Sequence, residues 1–406
     1  MQHGNFFIAR IITYVFLITA LVVGSWYAYP LLQKHQQKSF TIFYDAPLLL
    51  SSTDISLNGV KMALEQRAYR AGNAAIKLVV VDDGDKDGAW VESRERKNAE
   101  AAAADPSTVA FIGPLNSGAA KISMPILNQA GIIQISPSNT WPGLTKTGFL
   151  PGEPGVFYPT GQPHYVRVAT TDDLQGPAGA MWANELGFKS VYVVNDSDPY
   201  GVGIANLFER EAKNIGISVL GSNAITVDAS TTATVAEEII ALHPDLVYYG
   251  GLTTDGGPEL LKYLRGHGNT SAFMGPDGIF EQEFISKAGA SAAEGIYITA
   301  IGVPPAEAKT PTAAAFVKNY KERFHSEPDV FSALAYDATT ALLDAIDRVS
   351  SGDKSAILKE VKSIRSQPGV FGNWGFDKNG DTTLTLMSGN IVKNGTFEFN
   401  KILKVE

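Results

Sequence analysis

The sequence predicts an α/β fold with two doubly wound parallel-sheet lobes. Short apolar runs alternate with helix-length segments from residue 41 onward, and this alternation implies parallel sheets with right-handed crossovers. A stretch with four prolines at 148–163 interrupts the alternation, which then restarts. The 406 residues also exceed the usual size of one domain, about 100–200 residues. We therefore expect two lobes preceded by an N-terminal apolar helix.

The first run of elements begins after a polar tether at 33–39. Asp54 is the expected N-cap of the first helix, and Gly72 is its expected stop. The segment 148–163 is expected to be an ordered surface excursion. The pattern predicts strands at 41–44, 76–81, 109–112 and 132–135, and helices at 55–70, 89–104 and 119–129.

The second run resumes with a strand at 165–169. It continues with strands at 191–195, 218–223, 246–249, 272–274 and 296–301, and helices at 177–186, 202–215, 233–242 and 258–265. Helices at 313–324, 331–349 and 355–364 follow, then strands at 374–376, 384–392 and 397–403 with hairpin-type turns at 378–381 and 393–395. By residue 301 the second lobe already has its strands and helices. We therefore expect the three later helices to pack against the first lobe, to which the chain returns.

Composition excludes several function classes. The net charge of −9 argues against nucleic-acid binding, which requires basic patches. The chain has no cysteine, so it has no disulfide, no thiolate metal site and no thiol nucleophile.

The N-terminal residues 11–29 carry no charge. Their length of nineteen is close to the ~20 residues that a helix needs to cross a bilayer. Trp26, Tyr27 and Tyr29 resemble an interfacial aromatic belt, which favours a retained membrane anchor. Val23-Gly24-Ser25 could instead serve as a signal-cleavage site. Both alternatives place residues 40–406 outside the cytoplasm, in the periplasm or at the cell surface.

Two short polar segments follow neighbouring predicted strands, GPLNSG at 113–118 and SPSNTW at 136–141. In an open α/β sheet, ligands bind outside the carboxyl ends of the strands, where backbone N–H groups favour an anion. The two segments should lie side by side. They predict a receptor for a small molecule that carries a carboxylate.

Seven segments occur in a characteristic order: DD at 82–83, FIGP at 111–114, SPSNT at 136–140, DSDPYG at 196–201, YYGG at 248–251, FMGPDG at 273–278 and GFD at 375–377. In this order and spacing the chain resembles the type I solute-binding proteins of ABC transporters, the branched-chain amino-acid receptor group. The resemblance covers about residues 40–400. It implies a hinged cleft that closes on its ligand, delivery to a membrane permease, and no enzymatic activity.

The resemblance also implies three crossings between the lobes, near 168–170, 300–302 and 372–374. Lobe 1 is then expected to comprise 39–168 and 302–372. Lobe 2 is expected to comprise 169–301 and 373–406, and residues 1–38 form the anchor or signal segment with its tether.

The ligand's charged groups are assigned by matching positions in that family. Ser117 and Thr140 match positions that hold the carboxylate, although both residues are also common helix caps. The carbonyl of Ser138 and the acid Asp277 match positions that receive the ammonium, although Pro-Asp-Gly is also an ordinary turn. Tyr200 matches a cleft tyrosine on the second lobe, and its alternative is ordinary packing.

Further candidates flank the same strand ends. Asn116 and Asn139 either line the pocket or satisfy turns. Leu252 and Thr253 should reach the cleft, and Leu252 stands where branched-chain receptors often carry an aromatic residue.

Two candidates concern the ligand's side chain. Phe331 matches an apolar wall, with plain core packing as the alternative. Ser52, in a loop at 50–53, stands about where an aromatic residue would be expected. Trp141 could be a lid or a surface residue.

Other chemistries find little support. DGDKDG at 83–88 matches the first half of a calcium loop, but position 12 is Arg94 where the loop requires Glu. We read it as an acidic turn and expect no metal and no cofactor. No nucleotide-binding, nucleophile-elbow or zinc-protease motif occurs, and the six histidines are scattered. The main hypothesis is thus a receptor for a small apolar amino acid. A membrane-tethered sensor for an amide, urea or aromatic acid is the alternative, and an enzyme is a remote one.

Overall fold

The computed structural model describes residues 38–404 and Thr19. The predicted span at 11–29 therefore lies, apart from Thr19, outside the described residues. Within the described part of the chain, none of the helices combines the length and apolar character needed to cross a membrane.

A six-stranded sheet forms the first layer of the fold. Its strands are β1 Ser39–Asp45, β2 Arg70–Ala71, β3 Ala74–Val81, β4 Thr108–Ile112, β5 Ile133–Ser136 and β6 Tyr165–Arg167. The strand order is β2-β3-β1-β4-β5-β6, and every pair is parallel except β2 with β3. The order reverses at β1, so the carboxyl ends of β1 and β4 mark the switch point where such sheets bind ligands.

The helices between these strands are α1 Ser51–Gln66, α2 Glu92–Ala104 and α3 Ser117–Gln129. Three late helices are α10 Pro311–Phe324, α11 Val330–Val349 and α12 Lys354–Lys362. Phe316, Leu342 and Ile357 from these late helices share one core with Ile42 of β1. The chain thus returns to the first sheet after the second is built.

A seven-stranded sheet forms the second half. Its strands are β7 Ser190–Asn195, β8 Ser218–Ala224, β9 Leu246–Gly250, β10 Ala272–Gly275, β11 Tyr297–Ile301, β14 Met387–Lys393 and β15 Thr396–Leu403. The order is β15-β14-β11-β10-β9-β7-β8, with β14 and β15 antiparallel at one edge. Its helices are α4 Asp172–Glu185, α5 Pro199–Asn214, α6 Ala229–Leu242, α7 Gly257–Gly266, α8 Gln282–Ala288 and α9 Ala290–Ala293. The predicted two-sheet α/β fold is confirmed, and the residue boundaries of the lobes stay a prediction.

Shorter elements complete the chain. Strands β12 Gln367–Gly369 and β13 Gly372–Trp374 form a small hairpin. Asn394 and Gly395 form the two-residue turn between β14 and β15, with φ of 52° and 75°. Positive φ at both positions is the requirement of a type I′ turn, which the sequence pattern indicated. One-turn 3₁₀ helices lie at Pro142–Leu144, Gly155–Phe157, Asp277–Ile279 and Pro305–Glu307.

Several predicted boundaries were wrong. Helix α1 begins at Ser51, four residues before the predicted start, and its N-cap is Leu50 rather than Asp54. It ends at Gln66, well before Gly72. Helices α8 and α9 were not predicted, and the last short strand is 372–374 rather than 374–376. The excursion at 148–163 is ordered, and it buries Phe157 and Tyr158 against Trp141.

A buried ion pair ties the first sheet to the C-terminal tail. Arg167 at the end of β6 is fully buried, and its Nε donates to Asp381 Oδ1 at 2.7 Å. Its other nitrogens donate to the carbonyl of Trp141 at 2.7 Å and to the hydroxyl of Thr145 at 2.6 Å. Burial is the largest single influence and would raise the pKa of Asp381, but the charge and hydrogen bond of Arg167, the Thr145 hydroxyl and the charge of Lys146 together lower that pKa. The network fixes the segment where the chain leaves the first sheet.

Candidate functional site

A cavity lies between the two halves of the fold. It encloses about 560 Å³ of empty space, part of it open to solvent. Both halves contribute to it. Its lining residues are Leu50, Ser52, Gly88, Trp90, Leu115, Asn116, Ser117, Ser138, Thr140, Tyr200, Leu252, Thr253, Thr254, Asp277, Gly278, Glu281 and Phe331.

All but one of the candidate residues predicted from sequence line this cavity. The exception is Asn139. Its Nδ2 donates to the carbonyls of Pro114 and Leu115 at 3.0 and 2.8 Å, and its Oδ1 accepts from Tyr165 at 3.0 Å. Asn139 is fully buried, and these hydrogen bonds fit the turn role that was the stated alternative to lining the pocket. The ligand contacts of the other candidates stay predictions.

The N-terminus of α3 forms one end of the cavity. Its N-cap, Asn116, has extended backbone and, within the described chain, makes no side-chain cap hydrogen bond. Its Oδ1 has no hydrogen-bond partner among the described residues. The hydroxyl of Ser117 accepts the N–H groups of Thr140 and Trp141, both at 3.3 Å. First-turn N–H groups and the positive end of the helix dipole therefore meet the cavity here, which suits an anion.

Asp277 lies on the other half of the cavity. It begins the 3₁₀ turn Asp277–Ile279 and is 6% exposed. The hydroxyl of Tyr200 donates to its Oδ1 at 2.9 Å, and the N–H of Gly278 donates to the same hydroxyl at 3.1 Å. Burial raises the pKa of Asp277 to about 6, while hydrogen bonds from Gln175 and Tyr200 act in the opposite direction. None of the described residues lining the cavity is Lys, Arg or His, so Asp277 is suited to a cationic group of a ligand.

Asp172 adds a further acid near Asp277 that sequence reasoning missed. It is fully buried at the start of α4, and its backbone N–H donates to the carbonyl of Thr140 at 2.9 Å. Burial, and then the charge of Asp277, raise the pKa of Asp172 well above its usual value. The strand-to-helix position of Asp172 was a usable signal, because it follows β6 as Ser117 follows β4.

Three side-chain contacts join the halves around the cavity. The indole Nε1 of Trp90 donates to Asp198 Oδ2 at 3.0 Å. The hydroxyl of Ser52 donates to Glu281 Oε1 at 2.8 Å. Ser51 donates its N–H and hydroxyl to the two oxygens of Glu283, at 3.1 and 2.7 Å. The structure is therefore closed over the cavity.

Trp141 also joins the two halves. It is 6% exposed, and a Cβ added to Gly203 of α5 would lie 2.3 Å from its ring. It is thus neither a surface residue nor part of the cavity lining.

Leu50 lines the cavity as part of the loop 50–53, which was expected to face the cleft. The lining residues that sequence reasoning missed are Gly88, Trp90, Leu115, Thr254, Gly278 and Glu281. Trp90 follows the acidic turn directly, and an aromatic residue at that strand end was a usable signal. Glu281 is the N-cap of α8, a helix that the pattern did not predict.

One group of acids among the described residues could hold a metal ion. Oxygens of Asp45, Asp83 and Glu95 lie within 4.8 Å of one another, and all three residues are fully buried. Burial raises the pKa of each, so retained protons are the alternative to an ion. The predicted calcium loop is an acidic turn, in which Asp85 Oδ1 accepts the N–H groups of Asp87 and Ala89 at 2.8 and 3.1 Å.

Two α/β lobes around a cavity with anion donors on one side and an acid on the other define an extracytoplasmic-type solute receptor. The family model described as Periplasmic binding protein matches residues 51–393. The chain belongs to this family, as the sequence pattern indicated.

Known proteins similar to the chain include amino-acid receptors. The leucine-, isoleucine-, valine-, threonine- and alanine-binding protein of Pseudomonas aeruginosa is 25% identical over 334 residues, 81% of this chain and 82% of that protein. The leucine-specific-binding protein of Salmonella typhimurium is 26% identical over 332 residues, 81% and 83% of the two chains. A crystal structure of a leucine-binding protein from Thermotoga maritima has a TM-score of 0.77 and 26% identity, and covers 90% of this chain and 99% of that one.

Proposed function

We propose that the protein captures a small α-amino acid in the cavity between its lobes and delivers it to an ABC permease, without catalysis. One observation carries the proposal: the buried acid Asp277 and the N-terminus of α3 line the same cavity from opposite lobes. The ligand's carboxylate binds the N–H groups and the hydroxyls of Ser117 and Thr140. Its ammonium binds Asp277 and the carbonyl of Ser138, beside Tyr200.

Binding of a zwitterion drives closure in this arrangement. Each charged end is held by a different lobe, so both contacts form only when the lobes are closed, and the ligand shifts the population toward that state. A fully buried apolar side chain adds about 2–3 kcal/mol. A micromolar dissociation constant needs about −8 kcal/mol in total, which these contacts can supply. The permease then distinguishes loaded from empty receptor by shape.

The hinge and the location complete the proposal. We place the crossings near 168–170, 300–302 and 372–374, so that lobe 1 comprises 39–168 and 302–372. The buried pair of Arg167 and Asp381 then lies beside the first crossing. Membership of a periplasmic family supports a location outside the cytoplasm. Residues 11–29 either anchor the protein there or are removed as a signal.

A thermal-shift screen tests the function. L-Leucine should raise the melting temperature with concentration, as any ligand of the folded state does. Leucinol lacks the carboxylate and 4-methylpentanoate lacks the ammonium, so both should give no shift at the same concentration. A shift with benzoate or acetamide and none with any amino acid would overturn the proposal in favour of an aromatic-acid or amide receptor.

A further inference from the structure

Glu281 is a second buried acid in the cavity. The proposed ligand's α-ammonium is already paired with Asp277, so Glu281 needs another explanation. It is 9% exposed and is the N-cap of α8. Its Oε1 accepts the hydroxyl of Ser52 from the opposite lobe at 2.8 Å, while the hydroxyl of Thr253 donates to the carbonyl of Gly278 at 3.3 Å. Asp277 instead contacts Tyr200. The two acids thus have different partners along one cavity.

Closing the lobes does not by itself require an acid at this position. Glu283, two residues on, already accepts the N–H and hydroxyl of Ser51 across the same gap, and it does not line the cavity. Glu281 does line it. A purely aliphatic ligand side chain would add no polar partner to Glu281, which would keep only its hydrogen bond from Ser52 in a closed space, and an incompletely paired ionised group is costly to bury.

The surroundings of Glu281 are polar for a site that would hold a leucine-like chain. Ser52, Thr253 and Thr254 line the cavity together with it. Leu50, Trp90 and Phe331 supply apolar wall. Burial raises the pKa of Glu281 to about 7, with the hydrogen bond from Ser52 acting in the opposite direction. A further hydrogen-bond donor from a ligand would stabilise the ionised form of this buried carboxylate.

We propose, resting on the proposed function, that Glu281 is a specificity residue that selects α-amino acids whose side chain carries an O–H or N–H donor. The α-carboxylate binds the N-terminus of α3, the α-ammonium binds Asp277, and the side-chain donor binds Glu281. Sites built to pair a ligand's polar group reject the analogue that lacks it, because the site's own group is left unpaired.

Isothermal titration with two isosteric pairs tests the proposal. L-Threonine and L-valine differ by a hydroxyl in place of a methyl group, and L-ornithine and L-norleucine differ by an ammonium in place of a methyl group. In ligand-free full-length protein, the donor should bind at least about tenfold tighter than its isostere in at least one pair. Equal affinities within both pairs would overturn the proposal.

Matched variants connect the preference to the residue. Glu281→Gln should reduce the affinity ratio of the preferred pair to about threefold or less. Glu283→Gln removes the same charge from the neighbouring interlobe contact outside the cavity, so it should weaken both members of a pair equally and leave their ratio unchanged. An unchanged ratio in Glu281→Gln would refute the assignment. If that variant does not fold, the wild-type pairs still decide.

The outcome also separates this proposal from the one it rests on. Binding of valine and norleucine without any gain from a donor refutes the role of Glu281 and leaves an amino-acid receptor. Absence of binding by all four amino acids, and by leucine, refutes the receptor function itself.

Discussion

Replacing Glu95 by Gln should stabilise the protein at alkaline pH and not at acid pH. Glu95 is fully buried in α2, beside Asp45 and Asp83. Burial raises its pKa from 4.5 to about 7, the charge of Asp83 adds to the rise, and hydrogen bonds with Asp45 and Ser123 oppose it. The folded state therefore holds a proton that the unfolded state has already lost above pH 4.5.

The magnitude follows from linkage. A difference of about 2.5 pKa units, at 1.36 kcal/mol each, corresponds to about 3 kcal/mol. Because the pKa of Glu95 is higher in the folded state than in the unfolded state, the full stabilising contribution of its bound proton is present below about pH 4.5, the pKa of the unfolded state. It falls as the pH rises from there to about 7, and is constant above. Glutamine has no proton to lose, so Glu95→Gln should not show this loss.

Urea denaturation between pH 4.5 and 8 measures the effect. The free energy of unfolding of Glu95→Gln, minus that of the wild type, should rise by about 3 kcal/mol across this range. Glu100→Gln changes an exposed residue of the same helix and controls for the substitution itself. A difference between Glu95→Gln and wild type that stays constant with pH would refute the reasoning.

Three further predictions concern the pair at the hinge and the ligand site. Arg167→Ala leaves Asp381 buried without its partner, so the free energy of unfolding in urea should fall by about 3–5 kcal/mol; a loss under 1 kcal/mol would contradict this. Asp277→Ala should weaken L-leucine binding at least about 100-fold in calorimetry with little change in melting temperature, and wild-type affinity would refute the ammonium assignment. Trp90→Phe keeps the aromatic wall and removes the hydrogen bond to Asp198, so leucine affinity should fall by about tenfold; unchanged affinity would show that this contact does not hold the lobes closed.

Local pattern was enough to predict the two sheets. Short apolar runs that alternate with helix-length segments, such as that of β4, predicted the parallel strands, and Asn394-Gly395 predicted its hairpin turn. The run at 76–81 was expected to be a buried strand, but several residues of β3 are partly or fully exposed. The strand ends then indicated where the cavity lies, because the switch point beside β1 brings the segments after β4 and β5 together. Ser117 and Thr140, which the family resemblance assigned to the ligand's carboxylate, line this cavity.

Contacts between the lobes explain what local pattern did not predict. The N-cap of helix α1 is Leu50, whose side chain has no hydrogen-bond acceptor, and Glu283 from the other lobe accepts the N–H of Ser51 instead. This hydrogen bond joins positions 232 residues apart, so the sequence around Ser51 gives no indication of it. Glu281 was missed for a related reason, since it caps a seven-residue helix too short to show a clear period.

Asn139 was open to two interpretations from sequence. Its place among polar residues at a strand end was compatible with a ligand contact or with a turn, and its side chain hydrogen-bonds to Pro114, Leu115 and Tyr165. A turn amide and a ligand-binding amide look the same in sequence.

The most direct measurement of the central claim is a crystal structure with a bound L-amino acid. The account predicts its carboxylate within hydrogen-bond distance of the first-turn N–H groups of α3 and the hydroxyls of Ser117 and Thr140, and its ammonium on Asp277. A ligand that binds with its carboxylate away from α3, or that leaves Asp277 without a cationic partner, would contradict the account.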